Sequence, residues 1–298
     1  MVEPSNSFEK VSFFDEIDKN KRNSSIFLFF MFFLFFCVVA TFSFAFGLDI
    51  IGIIVGFIFL LIYAYISYFS GDKIVLSISQ AKEADPKQYI FLHNTVEGLA
   101  IAAQIPKPKV YVINDPSPNA FATGRDPEHA SIAVTTGLLE ICNRQEVEGV
   151  VGHEISHIAN YDIRFVMLAV VFAGAIAILS DVILRATFYS RGNKKGGGAM
   201  LLIAIVFMIL APIFAELVKF AISRQREYLA DSNGARITRY PEGLASALEK
   251  ISKYGQPVKA ATESTAPLYF SNPTKSSLFS LFATHPPIKE RIKKLRSM

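Results

Sequence analysis

Two histidines and a glutamate at fixed spacing carry the most chemistry in this chain. The stretch Gly152-His153-Glu154-Ile155-Ser156-His157 contains His-Glu-x-x-His. On a helix, His153 and His157 stand four residues apart and share one face. Two imidazoles stacked in this way can hold one metal ion, at roughly 2.0–2.1 Å per zinc–nitrogen bond. Glu154 is turned about 100° from His153 on such a helix. It flanks the ion and can accept a proton from water activated there. The pattern fixes only three residue types, and a chance match in a chain this long has odds on the order of one in a hundred. Burying two imidazoles and a carboxylate among apolar neighbours without a metal is costly, which favours the metal.

The helix that must position these groups is readable without the motif. Val147, Val150, Val151, Glu154 and Ile158 recur at helical spacing, and no Pro interrupts 143–172. Asn143-Arg144-Gln145-Glu146 resembles a capping box at its start.

Catalytic zinc commonly takes three protein ligands plus water. A third His six residues after the second is excluded, because that position is Ile163. His93, His129 and His285 remain, and a carboxylate on a later helix is the other source. Glu227-Tyr228-Leu229-Ala230-Asp231 is the best candidate. Glu227 and Asp231 share a helical face at i and i+4. One can ligate while the other orients an imidazole through its free ring nitrogen. The competing reading is a solvated face beside Arg224 and Arg226.

The chain has 298 residues, of which 51% are apolar, and its mean hydropathy is positive. The apolar surplus is concentrated in long runs, which points to membrane spans instead of a larger core. A net charge of +4 is too weak to suggest a nucleic-acid partner. Cys37 and Cys142 cannot build a disulfide framework or a cysteine zinc site. Cys142 reads as a small buried hydrophobe. Nothing in the composition fixes an oligomeric state.

Residues 1–25 form a polar segment with Lys10, Lys19, Lys21 and Arg22 ahead of the first apolar run. Ile26–Phe46 and Ile50–Phe69 are each about the ~20 residues needed to cross a bilayer. The first is longer than the roughly 7–15 residues of a signal-peptide core. Gly47-Leu48-Asp49 joins the two as a hairpin over 26–69, with Tyr63, Tyr65 and Tyr68 suited to an interfacial belt. The basic N-terminal segment predicts a cytoplasmic N-terminus.

Residues 70–162 read as a soluble α+β unit ending in the metal helix. Ile74–Ile78 is a strand candidate, and Asp85-Pro86 a helix start running to about Gln104. Val110–Ile113 reads as a strand. Asn119–Thr123 and Ser131–Thr135 bracket a Gly-Arg-Asp-Pro turn and predict a β-hairpin. Its edge strand offers backbone groups that an extended peptide can pair with, which makes Asn119, Ala120, Phe121, Ala133 and Val134 substrate-binding candidates. Ordinary sheet packing is the competing reading.

Two further apolar runs, Phe165–Leu184 and Met200–Phe220, occupy 163–222 around a basic glycine-rich loop, Arg185–Gly198. The first continues from the metal helix, and the second leads toward Glu227. Paired as an antiparallel hairpin, they bring His157 and Glu227 to the same membrane face. Full crossing places Arg185, Arg191, Lys194 and Lys195 outside, against the positive-inside tendency, so full and partial embedding both stand. Residues 223–298 read as soluble, with helices at Ser223–Ile237 and Pro241–Tyr254 and a short basic helix after His285-Pro286-Pro287.

At this point the chain resembles the HtpX-like membrane zinc metalloproteases, relatives of the CAAX prenyl endoproteases. The similarity spans Phe13-Phe14-Asp15-Glu16-Ile17, Asn20-Lys21-Arg22, Pro118–Gly124, Ala133–Gly137, Gly152–His157, Arg226–Asp231 and His285-Pro286-Pro287. It implies one zinc ion per chain on His153, His157 and Glu227, with Glu154 as general base and acid. It also implies Asp231 behind the ligands, with His285 and Arg291 as helpers. The implied fold is an α+β membrane protein, mostly helical and gluzincin-like. It has about four transmembrane or membrane-embedded helices and a small mixed sheet beside the zinc helix.

The implied function is endoproteolysis of misfolded or membrane proteins at the cytoplasmic side, as protein quality control. The partners are protein or peptide substrates and the bilayer, and the location is a multi-pass cell-membrane protein with a cytoplasmic catalytic domain. His285 is a candidate donor to the oxyanion. Two other readings stand beside this one. A prenyl-protein protease shares the site but needs a large membrane chamber, against which only four candidate spans are present. A membrane scaffold with an inert metal site would carry charges inside its spans.

Overall fold

The computed structural model describes residues 13–45, 48–189, 205, 224–261, 265–271 and 286–298. The first twelve residues, the glycine-rich loop beyond Tyr189, the fourth apolar run apart from Ile205, and His285 lie outside the described residues. The proposed pairing of the third and fourth runs falls there too.

Among the described residues, two helices carry the membrane layer. α1 (Phe13–Ala45) and α2 (Asp49–Ile78) both contain stretches long and apolar enough to cross a bilayer. Phe29, Phe33, Ile50 and Phe59 point outward, exposed on helices that water would not tolerate as such a continuous apolar surface. Their inner faces meet α6 (Asp162–Tyr189) through aromatic edges, with Phe27 against Phe165 and Phe35 and Tyr63 against Phe172.

α2 does not stop at Phe69. It runs through Gly71 to Ile78, so the expected strand at Ile74–Ile78 is helix. Its β-branched residues suit a strand locally. Here Val75 and Leu76 are buried instead against the membrane-facing side of the sheet, and packing overrides propensity.

The sheet has four strands, β1 (Lys82–Glu83), β2 (Lys109–Ile113), β3 (Ala120–Gly124) and β4 (Ala130–Thr135), in the order β1-β2-β4-β3. β2 and β4 run parallel, and the other two pairs are antiparallel. β3 and β4 form the expected hairpin, joined by a short 3-10 turn at Pro127–His129. Alternation divides the two faces. Ala120, Ala122, Ile132 and Val134 join the soluble core, while Phe121 and Ala133 join the membrane-side core. The sheet therefore separates the metal helix from the membrane helices.

On the soluble face lie α3 (Ile90–Ala102), α4 (Thr136–Ile141) and the metal helix α5 (Arg144–Ala159). Asp85 caps the turn before α3, accepting from the amides of Lys87 and Gln88, and the helix itself begins four residues later than the Asp-Pro signal suggests. α7 (Arg224–Thr238) and α8 (Pro241–Tyr254) pack over α5, and α9 (Ile288–Leu295) packs on α7 and α8.

α6 does not continue α5. The chain turns through 85° at Asn160-Tyr161, where Tyr161 takes a positive φ of 62°. Asn160 ends the first helix, and the left-handed residue after it redirects the chain.

Candidate metal centre

α5 is fixed at its start by the capping box. The Asn143 side chain accepts from the Glu146 amide at 3.0 Å, and Glu146 Oε2 accepts from the Asn143 amide at 2.6 Å. Glu146 also takes Lys250 Nζ at 2.8 Å and Ser246 Oγ at 2.9 Å, which ties α5 to α8. Burial works against this carboxylate, but those hydrogen bonds outweigh it and hold Glu146 below the usual range.

α5 and α7 cross at two glycines. A Cβ on Gly234 would lie 2.9 Å from the His153 amide nitrogen, and one on Gly152 would lie 2.9 Å from a Thr238 methyl. Only glycine permits this approach. It brings the start of α7, and with it Glu227, over the paired imidazoles.

The ring nitrogens converge. His153 Nε2 and His157 Nε2 are 3.1 Å apart. Glu227 places its carboxylate oxygens 3.8 Å from the first and 3.5 Å from the second. One donor atom from each of the three residues lies within 4.8 Å of the others. Among the described residues, this is the group of His, Cys, Asp and Glu that fits a metal ion. His93 Nε2 contacts the Ala84 carbonyl and His129 pairs with Asp126, so neither joins it.

Each ring is aimed from behind. His153 Nδ1 donates to Asp231 Oδ1 at 2.9 Å. Arg291 grips that carboxylate with Nε at 2.9 Å and Nη2 at 2.7 Å, and its Nη1 lies 3.7 Å from Glu227. His157 Nδ1 donates to Asp162 Oδ2 at 3.0 Å. With both Nδ1 protons committed, both Nε2 lone pairs face the gap. Asp162 is a functional candidate that the sequence reading missed. Its signal was a carboxylate just past a helix stop, Asn160-Tyr161-Asp162.

The two imidazoles are tuned apart. Burial pushes His153 down to about 4, Asp231 opposes that, and the charges of His157 and Arg291 add to it. Burial also disfavours charge on His157, but Asp162 and Glu227 outweigh it and raise it well above its ordinary value. Asp231 pays for its burial through Arg291, whose charge helps hold it below the usual carboxylate range. The two Nε2 atoms that face each other across the gap are the ones a cation would take.

Glu154 is buried in the wall of a cavity of about 40 Å³, shared with His153, His157, Glu227 and Ala122. The segment 265–271 forms the opposite wall. Phe270 sets its ring edge-on to His153, with centroids 5.0 Å apart, under the Arg291 guanidinium. Its amide donates to Ala120 O at 2.8 Å, and Asn119 exchanges hydrogen bonds with Ser271. The edge of β3 is thus partly taken by the chain itself. Ala133 and Val134 sit on β4, whose two backbone edges are used by β2 and β3. Direct peptide pairing is closed to them, and Phe121 points to the membrane-side core.

Comparison with known proteins identifies the family. The description "Peptidase family M48" matches residues 86–298. A protease HtpX homolog of Dictyoglomus thermophilum is 50% identical over 288 residues, covering 96% of this chain and 95% of that protein. One from Caldanaerobacter subterraneus is 48% identical over 287 residues, covering 94% and 96%. One from Streptococcus gordonii is 42% identical over 295 residues, covering 96% and 99%. Among solved structures, S. mikatae Ste24p has a similar fold, with a TM-score of 0.50 at 19% identity. That match covers 88% of this chain and 62% of the other. With likeness running along nearly its whole length, the chain belongs to peptidase family M48 and is an HtpX-type membrane metalloprotease.

Proposed function

We propose that this chain is a zinc-dependent endopeptidase that hydrolyses peptide bonds of misfolded or membrane proteins at the cytoplasmic face. The observation that carries the reading is the convergence of His153, His157 and Glu227 beside the buried carboxylate of Glu154. Two imidazole nitrogens and one carboxylate are the donor set that catalytic zinc takes. When bound, zinc supplies Lewis acidity toward a carbonyl and lowers the pKa of water.

The remaining work falls to the chain's own groups. Glu154 takes a proton from the attacking water and returns it to the leaving amine. Asp231 and Asp162 keep the Nδ1 protons of the two ligand rings and fix their tautomers. Arg291 holds Asp231 in place. The peptide pairs with the outer edge of β3. Backbone groups on an edge strand alternate, so Ala122 presents its amide and carbonyl on the same side as Ala120. Ala122 lines the cavity, which makes it the pairing position beyond the stretch held by Phe270. His285 is the proposed oxyanion donor. The basic residues before the first membrane helix support a cytoplasmic N-terminus and catalytic layer.

The test is Glu154→Gln in the purified, zinc-loaded protein. It should keep zinc and lose cleavage of an unfolded protein by roughly 10²–10⁴-fold. Undiminished cleavage would remove Glu154 from its role.

A further inference from the structure

The segment Asn20-Lys21-Arg22 has no place in the chemistry above, yet it reaches the metal centre. Asn20 lies on α1, at the start of the first candidate span, and is buried. One side-chain nitrogen, Nδ2, makes two hydrogen bonds. It donates to Asp162 Oδ1 at 2.8 Å and to the Asn160 backbone carbonyl at 2.9 Å. The two acceptors stand on either side of Tyr161, where the chain bends from α5 into α6. The neighbouring Lys21 places its ammonium over the Tyr161 ring, 4.5 Å from the centroid.

Asp162 uses its other oxygen for His157 Nδ1. A continuous path therefore runs from the first membrane helix through one amide and one carboxylate to a ligand ring. Asp162 Oδ1 faces Asn20 and, at 3.7 Å, Arg226 Nε. The amide satisfies Oδ1 without adding charge and sets the rotation of the carboxylate. That rotation decides whether Oδ2 stands in line with the imidazole N–H. A side chain at position 20 with no donor leaves a buried carboxylate oxygen short of one partner, and the corner loses a tie.

We propose that Asn20 is a positioning residue for the metal centre, through which α1 orients His157 by way of Asp162. The proposal rests on the reading of His153, His157 and Glu227 as zinc ligands. Outer partners of metal ligands are worth about 10–100-fold in metal affinity, and Asn20 stands one bond further out than Asp162.

The experiment measures zinc affinity by competition with a chromogenic chelator, on the full chain in detergent. The wild type, Asn20→Leu, Asp162→Ala and the double variant are compared. Asn20→Leu is expected to weaken zinc binding by about 3–10-fold and Asp162→Ala by about 10–100-fold. In the Asp162→Ala background, Asn20→Leu should add nothing, because its route to His157 is already cut. Ser25→Ala, an exposed site on the same helix, should leave affinity unchanged.

If Asn20→Leu does not fold, Asn20→Ala replaces it, and the melting temperature of the metal-free protein shows that the variant is folded. Unchanged affinity in Asn20→Leu overturns the proposal. So does an equal loss with and without Asp162, which would mark a general packing effect. A wild type that takes up no zinc overturns the ligand assignment and this proposal together. Zinc uptake by the wild type that Asn20→Leu leaves unmoved sinks the proposal alone.

Discussion

The two imidazoles of the metal centre do the same job from different supports. His153 rests on Asp231, and Asp231 rests on the buried guanidinium of Arg291 from the C-terminal helix. His157 rests on Asp162, at the foot of α6, and Asp162 is tied to the first membrane helix. On the first side, a full positive charge offsets the carboxylate. On the second, Asp162 and Glu227 both face the ring and outweigh its burial in favouring charge on it. The soluble tail thus supports one ligand ring, and the foot of α6 supports the other. A centre built this way joins two layers that are far apart in the sequence.

Removing the group shared by both sides should have the largest effect. Glu227→Ala should weaken zinc binding by more than the roughly 10–100-fold that outer partners cost. Unchanged zinc content after dialysis would reject Glu227 as a ligand.

Breaking the His153 side comes next. Arg291→Leu strands Asp231 as a buried, uncompensated charge, and should cost about 3–5 kcal/mol in thermal unfolding. Arg291→Lys should recover only part, because an ammonium cannot grip both oxygens as a fork. Arg226→Leu, on the more exposed His157 side, should cost clearly less. Equal losses at the two arginines would end the asymmetry argued above.

The crossing that unites the two sides is the third target. Gly234→Ala drives a methyl into the backbone of His153, and should cost about 1–3 kcal/mol with a loss of zinc affinity. Gly98→Ala on α3, where a Cβ meets nothing within 4 Å, should be neutral or slightly stabilising. A melting temperature in Gly234→Ala equal to the wild type would mean that the helices can separate without harm.

The smallest effect concerns the cap of α5, which serves both rings equally. Glu146 has a depressed pKa in the fold, so its contribution is present above its unfolded value and lost as pH falls through the folded one. Glu146→Gln should cost about 1 kcal/mol near neutral pH. The gap to the wild type should close as the pH drops below about 4.3, the unfolded carboxylate value. A gap that stays constant well below that value would show that the charge of Glu146 contributes nothing.

Local spacing made much of this legible. The shared face of His153 and His157, the capping box at Asn143 and the shared face of Glu227 and Asp231 all follow from a helix repeat. The β3–β4 hairpin follows from alternation around a turn. Ile74–Ile78 misled because β-branched residues suit both a strand and a buried helix end, and only the neighbouring sheet chose between them. Asp162 was missed because neither Pro nor Gly separates His157 from the apolar run at Phe165, so the stretch reads as one helix. The left-handed residue at Tyr161 carries no sequence mark strong enough to announce an 85° turn.

By itself, then, the sequence determined which groups could bind a metal, because their spacing along a single helix is a property of one segment. It also determined that apolar helices anchor the chain, because hydropathy is counted residue by residue. Only the tertiary structure decided which carboxylate faces which ring. That depends on the close crossing at Gly152 and Gly234, on the bend at Tyr161, and on Asn20 reaching across from another helix. Each is a contact between residues distant in the chain, set by packing and not by any local repeat.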